Sequence, residues 1–376
     1  PEYTDILLTS DPYGVLIYGD ASCLNLSSRK ALLQALTELS EKDPWFRGQD
    51  WSSEPLGVLS TPEMANDFKE ILSVQPKQLH LRSIILDSIK YGAQQPELKN
   101  TLLEIFSDEQ ASYAERRGAL EGLLNTIPNG EALVVKATKE LLQINCDSIR
   151  LKATVLSEIY EGNFNSGDVI QLVHDYINAS QPNHSVGDLW VLRNSLPLKE
   201  LPNILDGLAK IELNENIESN LEISGLIYEI LTRTLKNIDT ITPEQLWIWL
   251  SGLRTIDSYQ YSSHNRDEIK YWLTKNEQHV LKMFEIALNK IEFDESNTIF
   301  SFWHDFQKAV RGSFDTTSII KSAFSFIKTK DICNDKEQAI FQLILNLTIT
   351  LNPPNFEAFS LLQSFANSHP ELVKTL

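Results

Sequence analysis

Apolar residues recur along this chain with the 3.6-residue period of an α-helix, and the period is broken roughly every 12 to 20 residues by Ser, Thr, Pro or Gly. A pattern like this leaves no room for a sheet of any size. The run from Ser27 to Ser40 puts Leu32, Leu33, Leu36 and Leu39 on one stripe, with Ser27 or Ser28 expected as its cap. Thr61 followed by Pro62 reads as a cap and first helical residue, and Gln95-Pro96 reads the same way. Ser107 to Gln110 fits a capping box ahead of the helix that contains Ala119. Only Val15 to Tyr18 reads as a short β-like run, and no hairpin signal accompanies it. The expected fold class is therefore all-α.

Within residues 75–160 three segments align on Arg82, Arg116 and Arg150, which are spaced 34 residues apart. Three residues after each Arg stand Ile85, Ala119 and Ala153, and one turn further Ile89, Leu123 and Leu156. A pair of amphipathic helices cannot cover its own apolar face, so units of this length stack and share a continuous core. The spacing predicts a curved α-solenoid of HEAT-like helix pairs, with a helical cap over 1–60, regular repeats over 61–195 and a less regular half over 196–376. In that second half, a helix over 217–237 is expected to be central, and Trp247 and Trp249 to act as core anchors. The three arginines are expected to brace neighbouring units, with Asp108 and Asp147 as partners.

Catalytic chemistry is hard to find in these residues. Gly14 and Gly19 have the spacing of a phosphate-binding loop, yet Asp20 and Ala21 stand where Lys and Ser or Thr would grip phosphate and magnesium. The seven histidines and three cysteines show no metal-ligand spacing, and no Gly-x-Ser-x-Gly elbow occurs. No catalytic, cofactor or metal residue is therefore expected. An (α/α) toroid glycosidase working through paired carboxylates is the rival reading, but acids such as Glu104, Glu109, Glu115 and Glu121 read as solvent-face residues and no spacing isolates two of them.

Charge narrows the partners. Fifty-one acidic against 33 basic residues leave a formal charge of −18, which disfavours nucleic acid and anionic membranes as direct partners. Cys23, Cys146 and Cys333 lie too far apart in sequence to read as a disulfide framework, and no run of 18 apolar residues exists. These features point to a reducing, cytoplasmic setting. Pro1 as first residue and a last helix running to Leu376 point to a piece of a longer polypeptide. Two polar connections carry aromatics: residues 41–55 with Trp45, Phe46 and Trp51, and residues 258–267 with Tyr259 and Tyr261. The first either folds back as a plug on the N-terminal helix pair or presents its tip to a ligand; Trp45, Trp51, Tyr259 and Tyr261 are the candidate partner-binding residues.

The segment from Asp11 to Leu39, with Pro12, Val15, Leu16, Asp20, Leu24, Arg29, Leu32, Leu33 and Leu36, resembles the C-terminal helical-repeat region of bacterial NACHT-like STAND NTPases. Residues 56–72, the Arg-centred repeats and the segment from Thr242 to Leu250 continue the resemblance in order. It implies a sensor or scaffold region of an antiphage or signalling protein, which binds a protein, a peptide or the protein's own domains. The NTPase that precedes such repeats has no motif among these residues, so the resemblance implies no catalysis here.

Overall fold

The computed structural model describes residues 2–47, 53–73, 78–141, 146–178, 188–211, 221–253, 263–292, 298–329, 334–350, 356–368 and 370, and among them every regular element is helical. The chain forms two compact units, residues 1–164 with 178–184 and residues 165–177 with 185–376. The first contains α1 (Glu2–Ser10), α2 (Pro12–Tyr18), α3 (Leu26–Lys42), α4 (Ala65–Ser73), α5 (Leu79–Tyr91), α6 (Lys99–Ser107), α7 (Tyr113–Thr126), α8 (Gly130–Glu140) and α9 (Cys146–Ile159). Val15 to Tyr18, expected as a β-like run, lies inside α2. Asp11 caps that helix by accepting the Gly14 N–H, and Pro12 sits at its start.

Caps in this unit lie a few residues from where the sequence suggests. Asn25, not Ser27 or Ser28, caps α3 by accepting the Ser28 N–H. The capping box belongs to Ser112 and Glu115, because Ser107 is the last residue of α6 and the chain needs the intervening turn to reverse. Thr61-Pro62 and Gln95-Pro96 each open a single 3₁₀ turn that leads into α4 and α6.

From α3 onward the helices of the first unit pack on the next but one: α3 on α5, α5 on α7 and α7 on α9 in one layer, α4 on α6 and α6 on α8 in the other. The matched apolar positions explain this. Ile85, Ala119, Ala153, Ile89 and Leu123 are completely buried, and Leu156 nearly so. The layer closes tightly around α7 because Gly118 and Gly122 have no side chain. A Cβ on Gly118 would stand 3.0 Å from that of Leu86, and one on Gly122 3.2 Å from Ile89 and 3.3 Å from Leu102.

The arginines brace this stack. Arg82 donates to the carbonyl of Leu72 and Arg116 to that of Phe106 at 2.9 Å, each ten residues back at the end of the preceding α4 or α6. Forward, Arg82 Nε reaches Glu115 Oε1 at 2.6 Å and Arg116 reaches Ser148 Oγ at 3.0 Å. The expected partners Asp108 and Asp147 act on Arg116 through their field, while its hydrogen bonds go to the Phe106 carbonyl and the Ser148 hydroxyl. Arg150 is half-buried with its guanidinium over the Tyr113 ring, 3.8 Å from the centroid.

Arg82 is thus paired with a buried acid and Arg116 is not. Burial pushes the Arg116 guanidinium below its ordinary value, against the field of Asp147, Glu109 and Asp108, and its Nη2 has no hydrogen-bond partner. Replacing Arg116 with Met removes two hydrogen bonds but also a poorly compensated buried charge. We expect a net loss of about 1 kcal/mol or less in urea unfolding.

The second unit begins with α10 (Ser166–Asn178) and continues with α11 (Asp188–Ser195), α12 (Leu201–Leu208), α13 (Leu221–Asn237), α14 (Pro243–Gly252), α15 (Ser263–Lys275), α16 (Glu277–Lys290), α17 (Ile299–Ala309), α18 (Thr316–Thr329), α19 (Asn334–Thr350) and α20 (Phe356–Ser368). Here α13 packs on α11, α12 and α15, α14 on α16, and α17 on α19. Its residues Ile223, Leu226, Ile227, Ile230 and Leu231 are all buried, as the wide apolar arc requires, while Ile217 lies outside the described residues. Trp249 is fully buried with its indole N–H on Asp206 at 2.6 Å, and Trp247 packs against Phe306. Arg233 repeats the bracing device by donating to the carbonyls of Arg193 and Leu196 at the end of α11.

Candidate functional site

The aromatic connection after α3 does two things at once. Phe46 folds inward, edge-on to Tyr13 at 5.8 Å and to His80 at 6.0 Å, which is the plug arrangement. Trp45 does the opposite: it is 70% exposed and stands edge-on to His80 at 5.1 Å. Of the other candidate residues, Trp51, Tyr259 and Tyr261 lie outside the described residues.

Trp45 overhangs a groove of about 240 Å³ between the N-terminal halves of α5 and α7. Leu79, His80, Leu86 and Asp87 form one wall, and Ala114, Glu115 and Gly118 the other. Beneath Trp45 lies Arg47, which the sequence reading passed over and which is 2% exposed. Its backbone N–H donates to His80 Nδ1 at 3.2 Å, and its guanidinium meets Asp87 Oδ2 at 2.8 Å and Ser83 Oγ at 2.8 Å. The first contact leaves the ring proton of His80 on Nε2.

The two carboxylates on the walls are both held by arginine. Glu115, expected on a solvent face, is buried. Its Oε1 accepts from Arg82, while Oε2 accepts from the backbone and hydroxyl of Ser112. Burial alone would raise its carboxyl, but the hydrogen bond and charge of Arg82, with the Ser112 donors, hold it below the usual carboxylate range. Asp87 gives Oδ2 to Arg47 and Ser53, and among the described residues its Oδ1 has no hydrogen-bond partner. His80 is held below the ordinary imidazole range, first by burial and then by the charge of Arg47, with Asp43 pulling the other way.

Both shifts make the first unit acid-sensitive in the same direction. A group whose folded pKa is depressed contributes stability that is complete above its unfolded value and is lost as pH falls through the folded one. For His80 the loss lies below 6.5, and for Glu115 below 4.5. Urea midpoints followed downward from neutral pH should fall in two stages, the first absent in His80→Gln and the second absent in Glu115→Gln. A wild-type midpoint that stays level through the first stage would remove the role given to His80.

A second hollow of about 440 Å³ lies among α17, α18 and α19, lined by Phe300, Trp303, Gln307, Leu343, Asn346 and Leu347, with no ionisable side chain among the described residues of its walls. Cys23 is exposed, with its thiol on Asp20 Oδ2 at 3.2 Å. Among the described residues no three His, Cys, Asp or Glu side chains converge as a metal site would require, and no helix is long and apolar enough to cross a membrane. No protein-family model matches the chain, and no curated protein or solved structure is significantly similar to it.

Proposed function

We propose that the chain is a non-catalytic helical-repeat region, a curved HEAT-like α-solenoid, that acts as a sensor or scaffold and binds a protein partner or the protein's own domains. The observation that carries this reading is Trp45, a large aromatic left in solvent over an apolar groove. The charged groups beneath it are committed to bracing the stack. Exposed aromatic anchors beside a preformed hollow are the usual centres of protein recognition. In the setting implied by the resemblance, the region belongs to a larger bacterial STAND-type NTPase of antiphage defence or signalling, and works in the cytoplasm.

The glycosidase reading draws on one feature, Asp87 and Glu115 on the walls of a groove with an aromatic at its mouth. A general acid needs a raised carboxyl pKa. Glu115 has a lowered one and both acids are engaged by arginine, so the recognition reading is favoured.

Panning a displayed random-peptide library on the intact chain tests the choice. Enriched peptides that lose about tenfold or more in affinity on Trp45→Ala support recognition at this groove. Peptides indifferent to that change, or oligosaccharides bound in their place, overturn it.

A further inference from the structure

Resting on the recognition reading, we propose that His80 is an acid-released latch on the connection that carries Trp45. The neutral imidazole holds Trp45 over the groove; uptake of a proton frees the connection and withdraws recognition. Three observations carry this.

The first is where the hydrogen bond lies. Arg47 donates its backbone N–H to His80 Nδ1 at 3.2 Å, and the contact is buried. An imidazole accepts there only while Nδ1 carries no proton. Protonation sets two N–H donors against each other, and Trp45 and Phe46, both edge-on to the ring, hinder its turning away.

The second is what can move. The Arg47 side chain is anchored on α5 through Asp87 and Ser83 at 2.8 Å each. The Trp45 backbone N–H is held by Asp43 Oδ1 at 3.0 Å in an exposed turn. Asp43 is also the carboxylate whose field favours a charged His80. A proton on the ring therefore loosens Trp45 twice, by breaking the Arg47 backbone contact and by drawing Asp43 from the Trp45 N–H.

The third is that the surroundings keep the ring neutral until the pH falls. His80 is buried in the first turn of α5, near the positive end of the helix dipole. The end of α3 brings exposed Lys42 and Asp43 toward it, and the connection brings Arg47. Glu115 of α7 is already paired with Arg82, and Asp87 of α5 with Arg47. The end of α4 meets α5 through the Leu72 carbonyl on Arg82. Burial and Arg47 outweigh Asp43, so the imidazole lies below its ordinary 6.5. The latched ring binds a proton less readily than a released one. Latching is therefore complete above 6.5 and is lost as pH falls through the lowered value.

Hydrogen exchange of the Arg47 amide in the intact chain, corrected for the intrinsic effect of pH, is the direct test. From about pH 7.5 to about pH 5 its protection should fall, by up to about tenfold for each unit below 6.5. The Leu120 amide in α7 should stay at least about tenfold better protected throughout, because the latch opens locally. In His80→Asn, whose Oδ1 can accept in place of Nδ1 and does not titrate, the fall should be absent. In Asp43→Asn it should move to lower pH. Affinity for a panned peptide free of Asp, Glu and His should follow the Arg47 protection in each variant.

An equal fall in His80→Asn, no fall in the wild type, or an Arg47 amide that exchanges only together with Leu120 overturns the latch and leaves the recognition reading standing. Affinity that stays level while Arg47 protection falls does the same. Absence of any Trp45-dependent peptide overturns the recognition reading, and with it the control of recognition by His80.

Discussion

Replacing Arg82 with Met will destabilise the first unit by about 3–5 kcal/mol, the cost of breaking a buried ion pair from one side. The cause is what stays behind. Glu115 is 5% exposed, and without Arg82 it keeps only the Ser112 donors. Its carboxylate must then either remain buried and unpaired or take up a proton, which moves the acid transition of the unit to higher pH. The Leu72 carbonyl loses its donor as well. Changing both members together, Arg82→Met with Glu115→Leu, removes the orphaned charge and should recover all but about 1 kcal/mol, the remainder being the lost capping box of α7. Arg116→Met is the internal control, because the same cation there leaves no buried acid behind. Equal losses for the two arginines in urea unfolding would contradict the distinction drawn between them.

Trp249→Ala should cost the second unit about 3–5 kcal/mol, the range for emptying a completely buried aromatic position. The packing term dominates that figure. Trp249→Phe keeps most of the volume and gives up the indole hydrogen bond to Asp206, whose carboxylate is half-buried and can be rehydrated, so the loss should be only about 1 kcal/mol. If both substitutions cost the same, the hydrogen bond rather than the packing holds Trp249. Because Arg82 and Trp249 lie in different units, hydrogen exchange in the two variants should rise in different sets of helices.

The helical period and the 34-residue spacing carry most of the fold, because burial is a property of position along a stripe. Ile85, Ala119 and Ala153 are interchangeable in that sense and are buried alike. Cap positions were harder to read, since Ser27, Ser28 and Ser107 have the right chemistry but the chain turns elsewhere. Glu115 was misread for a related reason. Its spacing places it on the edge of a stripe, and only the partner 33 residues back makes burial tolerable. The candidate site was half legible. A run containing Trp45, Phe46 and Arg47 marks a special connection, but sequence alone does not separate the ring that plugs the core from the ring left outside. That division follows from Phe46 meeting Tyr13 of α2, and from Arg47 finding Asp87 and His80 on α5, contacts that exist only once the helices are stacked. A lone Arg in an aromatic loop was the one available signal.

The central claim is that Arg47 and Arg82 hold the array while Trp45 is kept for a partner. Its most direct test measures the urea midpoint and the affinity for a groove-binding peptide on the same preparation of Trp45→Ala. The account predicts a midpoint within about 0.5 kcal/mol of wild type, as for an exposed residue, together with an affinity loss of about 2 kcal/mol or more. A midpoint lowered by several kcal/mol with affinity unchanged would contradict it, making Trp45 a part of the fold and leaving the groove without its anchor.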